Sequence, residues 1–243
     1  MPQCRDFGLD AHLTFASSPR FGTKVLWRYS DAPSVEGVGL KVVQQSFDGR
    51  APGDYVLFRF GFTNSGPAPV TFYAGMFADW DIGDDVLDDV GATEPGGRLM
   101  YMTNGSGGPL AGSLLLSGAP ASGNRFFPLQ GAPPPSSDYV AALAGDVRVP
   151  SVESPGDYLY LHGVGPITLA PNETDEVWIA IVAGDDLAQL RANAAAAEAD
   201  VARRRAGGGD VEVVSTQAVA VDRSRLQIRR ATSAICKAAC KLD

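Results

Sequence analysis

Residues 54–64 constrain the fold of this chain more than any other segment. Val56, Phe58, Phe60 and Phe62 alternate with Tyr55, Leu57, Arg59 and Gly61, a period of two that puts four large apolar side chains on one face of a strand. A helix would scatter the same residues around its circumference. The chain must therefore build a sheet with a buried face. Its neighbours agree: residues 24–29 and 38–47 read as strands upstream, and the turn Ser65-Gly66-Pro67 leads into a further strand at 70–77. Consecutive strands joined by short turns favour an antiparallel, meander-like series. Glycine (28) and proline (17) are abundant enough to supply the many turns such a fold needs.

Further along, 98–103, 113–117 and 159–169 read as strands, and the stretch 118–137, with its five prolines, reads as a long surface loop. In 176–183, Val177, Ile179 and Ile181 oppose Trp178, Ala180 and Val182, so both faces are apolar and the strand belongs in the middle of a sheet. A helix follows over 185–205, with Asp185 as N-cap and Leu187, Leu190, Ala194, Ala197 and Val201 on one stripe, ended by Gly207-Gly208-Gly209. Residues 211–215 suggest a last strand and 222–242 a second amphipathic helix. The expected fold is mainly β: an antiparallel β-sandwich with one packed helix and a C-terminal amphipathic helical tail. It divides into an N-terminal arm (1–22), the sandwich with its closing helix (23–206), and a glycine hinge with a basic tail (207–243).

The net charge of −8 argues against nonspecific nucleic-acid binding, which requires neutralising phosphates. The charge is unevenly spread. Residues 222–243 hold six basic side chains, Arg223, Arg225, Arg229, Arg230, Lys237 and Lys241, against two acids. Such a tail suits docking onto an acidic protein, an anionic lipid surface or the chain's own body, and a solvated helix face is the plain alternative; a membrane contact would be peripheral, since no stretch reaches the roughly 18 apolar residues of a span. The cysteines Cys4, Cys236 and Cys240 lie at the two ends. Disulfide pairing among them, free thiols and a metal site all remain open, although four-ligand metal spacing is missing. No signal peptide is visible in the numbered chain.

For chemistry, only His12 and His162 could serve as an imidazole base, and G-x-S-x-G, HExxH, a P-loop and a strand-linked G-x-G-x-x-G are all absent. The expectation from motifs is that the chain is not an enzyme and needs no organic cofactor. The acidic run holding Asp79, Asp81, Asp84, Asp85 and Asp88 is the calcium candidate, because carboxylates in a tight loop suit that ion. It departs from the EF-hand, with glycine at the fifth position and Val90 at the twelfth. A solvated acidic turn with Trp80 in the core is the plain structural alternative. Trp27, Trp80, Trp178, Tyr73, Tyr101 and Tyr158 are the aromatic candidates for stacking on a glycan, although most aromatic side chains in such strands belong to the core.

The run Y-A-G-M-F-A-D-W-D-I-G at 73–83 resembles a β-sandwich accessory domain found C-terminal to secreted bacterial subtilisin-like serine peptidases. D-Y-V-L-F-R-F-G-F-T-N at 54–64 is similar to that domain's central strand, and 168–197 to its closing strand and helix. The likeness covers roughly residues 39–205. Two departures stand out: Asn172 replaces a preferred glycine, and this chain carries no peptidase domain. The resemblance implies an extracytoplasmic location and an accessory subunit that docks by protein–protein contacts onto a larger extracytoplasmic or membrane-bound complex, of electron-transfer, photosynthetic or secretion type. The alternative it implies is a calcium- or glycan-binding module of a secreted protease system.

Overall fold

The computed structural model describes residues 7–18, 22–34, 37–49, 53–129, 134–146 and 148–206. The chain forms, in order, β1 (Gly8–Ser18), β2 (Gly22–Ser30), β3 (Leu40–Asp48), β4 (Tyr55–Asn64), β5 (Val70–Asp79), β6 (Asp89–Thr93), β7 (Leu99–Asn104), β8 (Leu110–Leu115), β9 (Ala121–Pro128), α1 (Ser136–Ala144), β10 (Ser151–Gly156), β11 (Tyr158–Leu169), β12 (Thr174–Gly184) and α2 (Leu187–Ala206). Nine strands make a large antiparallel sheet in the order β1-β2-β3-β4-β12-β8-β7-β6-β10, and three make a small one, β5-β11-β9. The sheets pack face to face, α2 lies on the outer face of the large sheet, and α1 on the outer face of the small one.

This layering follows from side-chain alternation. On one face of the large sheet, Phe47, Tyr55, Leu57, Trp178, Ala180 and Val182 bury against Leu190, Ala194, Ala197 and Val201 of α2. On the other, Leu40, Val42, Phe62, Val177 and Ile179 meet Phe72, Val164, Ile167 and Leu169 of the small sheet. The small sheet in turn presents Leu161 and Phe127 to Ala142 and Leu143 of α1. Each fully buried Leu, Val or Phe contributes roughly 1.5–3 kcal/mol, so strands covered on both faces anchor the domain. β12 is one of them, lying between β4 and β8 as its two-sided apolar sequence requires.

α2 is tied down at both ends. At its start the Asp186 Oδ1 accepts the Gln189 backbone N–H at 2.8 Å, while Gln189 Oε1 accepts the Asp185 N–H at 2.7 Å. Asp186, and not Asp185, is thus the N-cap. At its end Arg205 reaches Glu176 of β12, whose carboxylate also accepts bonds from the Trp178 indole (2.8 Å) and Arg59 (2.6 Å). Burial alone would raise the Glu176 carboxyl, but the Trp178 and Arg59 hydrogen bonds outweigh it and hold the group below its ordinary value.

Several elements differ from expectation. Residues 8–18, expected in an arm, pair with β2 as β1. β5 does not continue the meander beside β4 but crosses to the small sheet beside β11. The region expected as one surface loop contains β9 and the start of α1. Adjacent Phe126 and Phe127 of β9 enter different apolar clusters on opposite faces, so the strand shows no alternation in hydropathy. β6 and β10 are short strands rich in small, polar or charged residues and carry no periodic signal. The expected strand at 211–215 and amphipathic helix at 222–242 lie outside the described residues.

A glycine sets how closely α1 approaches the small sheet. A Cβ on Gly123 of β9 would stand 2.3 Å from the backbone oxygen of Ala142 and 3.1 Å from the Leu143 Cα, neither of which can swing aside as a side-chain tip could. Gly123→Ala should therefore lift α1 and cost on the order of 1–3 kcal/mol. The expected readout is a lower urea midpoint with strand-type circular dichroism retained.

Candidate functional site

Three places in the sandwich gather chemistry-bearing residues. The first is the acidic end. Asp79 closes β5, Asp81 stands in the following loop, Asp89 opens β6, and Asp157 links β10 to β11. Asp89 is buried, 1% exposed, and its Oδ1 accepts the Ile82 N–H at 3.3 Å, tying the loop to the sheet. Burial pushes its carboxyl up to about 6. The Ile82 bond opposes that rise, and the charges of Asp81, Asp157 and Asp79 add to it. Asp79 is raised by burial, then by Asp81 and Asp157, and Asp157 by burial, then by Asp81.

The electrostatic partners of Asp79 and Asp81 are thus Asp89, which belongs to the same acidic stretch but was not among the expected calcium ligands, and Asp157, which stood outside the candidates altogether. Asp157 is remote in sequence, so no spacing could reveal it, and Asp89 reads as one more acid in a run. Of the other calcium candidates, Asp84 and Asp85 are exposed and Asp88 half-buried. Asp85 Oδ1 caps the Leu87 N–H at 2.9 Å, and the Asp88 carbonyl accepts from Gly105. Among the described residues no three carboxylate, imidazole or thiol side chains converge as a metal-holding group.

A carboxyl raised on folding favours the folded state while protonated and loses that advantage as pH rises through the folded value. Asp89→Asn keeps an acceptor for Ile82 without the charge. It should raise Tm by a few degrees at pH 7.5, and the gain should vanish near pH 4, as thermal melts across that range would show.

The second place is a buried polar chain between the sheets. His162 lies inside β11 and is fully buried. The Trp80 Nε1–H donates to the Tyr160 hydroxyl (3.1 Å), which donates to Ser113 Oγ (3.0 Å), which lies 2.8 Å from His162 Nδ1. His162 Nε2 is 2.8 Å from the Gly97 carbonyl, which also accepts from Asn124 at 3.0 Å. A carbonyl can only accept, so Nε2 carries the proton and Nδ1 is the acceptor for Ser113. Burial lowers the imidazole to about 4, against a smaller raising effect of the Gly97 bond. The Ser113–His162 contact resembles a nucleophile–base pair, but it is sealed in the core: both residues are 0% exposed.

The third place is on the inner face of the large sheet, at the edge of the apolar cluster between the sheets, against which Tyr29 and Phe60 pack. There the register sets Trp27 beside Gln44 and Gln44 beside Phe60, with Val25, Ser46 and Phe58 in the next row. Trp27, Phe58 and Phe60 are half-buried, and Val56, next along β4, is 40% exposed. The Phe58 and Phe60 rings stack with centroids 6.5 Å apart. Gln44 is buried, and its Oε1 accepts the Tyr29 hydroxyl at 3.1 Å.

Of the six aromatic candidates, Trp27 belongs to this face. Trp178 is buried against Phe47 under α2, Trp80 is hooked to Tyr160, and Tyr73 and Tyr101 pack against the clusters beneath α1 and α2. Tyr158 donates to the Ser154 carbonyl at 3.0 Å. Arg223, Arg225, Arg229, Arg230, Lys237, Lys241, Cys4, Cys236 and Cys240 all lie outside the described residues. Among the described residues no helix is long and apolar enough to cross a membrane.

No protein-family model and no curated protein matches the chain. Solved structures do. A bacterial glucoamylase complexed with acarbose aligns over 78% of this chain at 10% identity with a TM-score of 0.55, and the chain spans 26% of that protein. A polysaccharide lyase (14% identity, TM-score 0.42) aligns over 79% of this chain and 28% of its own. An Escherichia coli K12 protein assigned as an aldose 1-epimerase (10%, 0.40) aligns over 72% and 69%. The glucoamylase likeness shows a shared fold.

The expectation that this chain is not an enzyme is corrected at the level of fold: the glucoamylase likeness shows that an enzyme carries this architecture, so missing linear motifs give no ground for that expectation. The physical reason is that glycan chemistry commonly relies on carboxylates brought together from distant parts of a chain. A search for short linear motifs does not register such a pair.

Proposed function

We propose that this chain is the sandwich domain of a carbohydrate-processing protein and that it holds glycan on the inner face of its large sheet. The observation that carries the reading is the row Trp27–Gln44–Phe60, with Phe58 stacked beside it. Aromatic faces pack against the C–H faces of a pyranose, while amide and hydroxyl groups between them suit its hydroxyls. Trp27 and Phe60 flank the same residue from opposite sides, so their strands lie about 9–10 Å apart. That span exceeds one sugar ring and favours an oligosaccharide lying across the strands. The glucoamylase likeness supports the reading at the level of fold. The chain spans a quarter of that enzyme, which suits a domain that works docked against a larger partner.

The test is a panel of α- and β-linked glucans and uronic-acid polymers titrated against the protein, followed by tryptophan fluorescence and calorimetry. Binding to at least one is expected, with Trp27→Ala weakening it tenfold or more at unchanged Tm. A panel that leaves fluorescence and heat flat, or binding that Trp27→Ala does not alter, would remove the reading.

A second reading, acid–base work on the glycan at the acidic end, is favoured by Asp79 and Asp157, which reach the surface there and whose carboxyls are raised by burial and by the charge of Asp81. Under it, Asp79→Asn should abolish glycan cleavage or rearrangement while leaving glycan binding intact, as product analysis would show.

A further inference from the structure

The buried chain from Trp80 to Gly97 joins the two sheets, which also meet through apolar packing and through the Asn64 and Asn124 side-chain amides on the Leu169 and Gly97 carbonyls. Tyr160 and His162 belong to β11 of the small sheet, Ser113 to β8 of the large sheet, and Gly97 to the turn between β6 and β7. The chain also has a direction. The Trp80 indole can only donate and the Gly97 carbonyl can only accept, so every hydrogen between them points one way. We propose that this one-way relay is a proton-operated latch between the two sheets, closed while His162 Nδ1 accepts from Ser113 and released when that nitrogen gains a proton.

Protonation turns Nδ1 into a donor aimed at Ser113 Oγ. Ser113 then accepts from both His162 and Tyr160, and its own hydrogen has no acceptor within the chain. Reversing the Ser113–Tyr160 bond only moves the fault outward. Tyr160 would then accept from Ser113 and from Trp80, leaving the tyrosine hydrogen unpaired. Because a donor-only indole closes one end, no rearrangement within the relay absorbs the extra proton. A buried donor left without a partner, next to a buried cation, opposes close packing.

The surroundings of His162 offer no compensation. Across the small sheet it pairs with Met76 of β5 and Asn124 of β9. From the large sheet it faces Ser113, and from the β6–β7 turn the Gly97 carbonyl. The other titratable member of the relay is Tyr160, whose hydroxyl burial pushes up to about 12. No charge from any of these elements contributes to the imidazole, which burial holds at about 4. The unfolded or opened chain therefore takes up the proton first. The contribution of His162 to closure is complete above its ordinary value near 6.5 and is lost progressively as pH falls through the folded value.

The latch predicts which part of the molecule lets go. The small sheet and α1 should release from the large sheet, while the β3-β4-β12 ladder, held by α2 on its other face, persists. The test uses the full chain. Imidazole proton resonances are followed from pH 7.5 to 3.5, with His12→Asn assigning the two histidines, and amide hydrogen exchange is mapped over the same range. His162 should stay neutral down to about pH 5. Below that, exchange should rise first in β9, β11 and α1. His162→Gln, which cannot titrate, should shift the acid transition down by at least one pH unit. Should that variant not fold, Ser113→Ala provides the opposite test, since a freed Nδ1 should titrate closer to 6.5 and the transition should move up. Titration of wild-type His162 near 6.5 with unchanged exchange, simultaneous loss of protection in both sheets, or a transition that neither variant moves would each overturn the latch.

Discussion

The constraint on which the rest of the structure depends is burial of the β4–β12 ladder from two sides. Nine residue pairs run in register from Tyr55–Val182 to Thr63–Thr174, and alternate side chains go to α2 and to the small sheet. A one-residue slip would exchange the two apolar sets between faces shaped for different partners. The ion pairs at Glu176 reinforce the register from outside, because Arg59 of β4 and Arg205 of α2 both close on that β12 carboxylate. They fix where the helix lies; the burial beneath supplies most of the stability.

That constraint explains which parts of the fold were legible in the sequence. β4 and β12 were plain because long side chains repeat with period two on residues buried on both faces. β2, β3, β5 and β11 followed from similar apolar runs. α2 was plain because Leu190, Ala194, Ala197 and Val201 recur at helical spacing and face the ladder. β9 was hidden because Ser122, Gly123 and Asn124 occupy buried positions that hydropathy reads as loop. Gly123 is there to admit α1, and Asn124 to serve the Gly97 carbonyl. In both cases the side chain answers to a contact far away in sequence. The assignment of β5 to the small sheet is likewise decided across the core, by Phe72 meeting Phe62, and a strand's own residues do not state which sheet will receive it.

The candidate sites divide in the same way. Trp27 and the acid run were visible as residue types. What gives them their character is not: Gln44 and Phe60 become neighbours of Trp27 only through register, and Asp89 joins Asp79, Asp81 and Asp157 only when the β5–β6 and β10–β11 connections meet at one end of the sandwich. The run of acids was legible as a charge. Its partition into a buried carboxyl with a raised proton affinity and exposed acids that cap loop amides needed the fold.

The two polar features also illustrate opposite solutions to burial. The relay through His162 satisfies each of its donors and stays neutral, so it costs little at neutral pH and helps to orient one sheet on the other. Asp89 is buried among like charges and is held by one backbone bond. Groups raised in this way oppose stability at neutral pH, and such costs concentrate where a reactive or binding surface is kept. The sandwich thus spends its well-satisfied polar atoms on joining its layers and leaves its poorly compensated charge at one rim, while its aromatic surface lies elsewhere, on the inner face of the large sheet. Among the described residues, the side chains left part-exposed on the inner face of β2 and β4 include Val25, Trp27, Val56, Phe58 and Phe60, apolar groups and not the charges that would simply keep such a face wet.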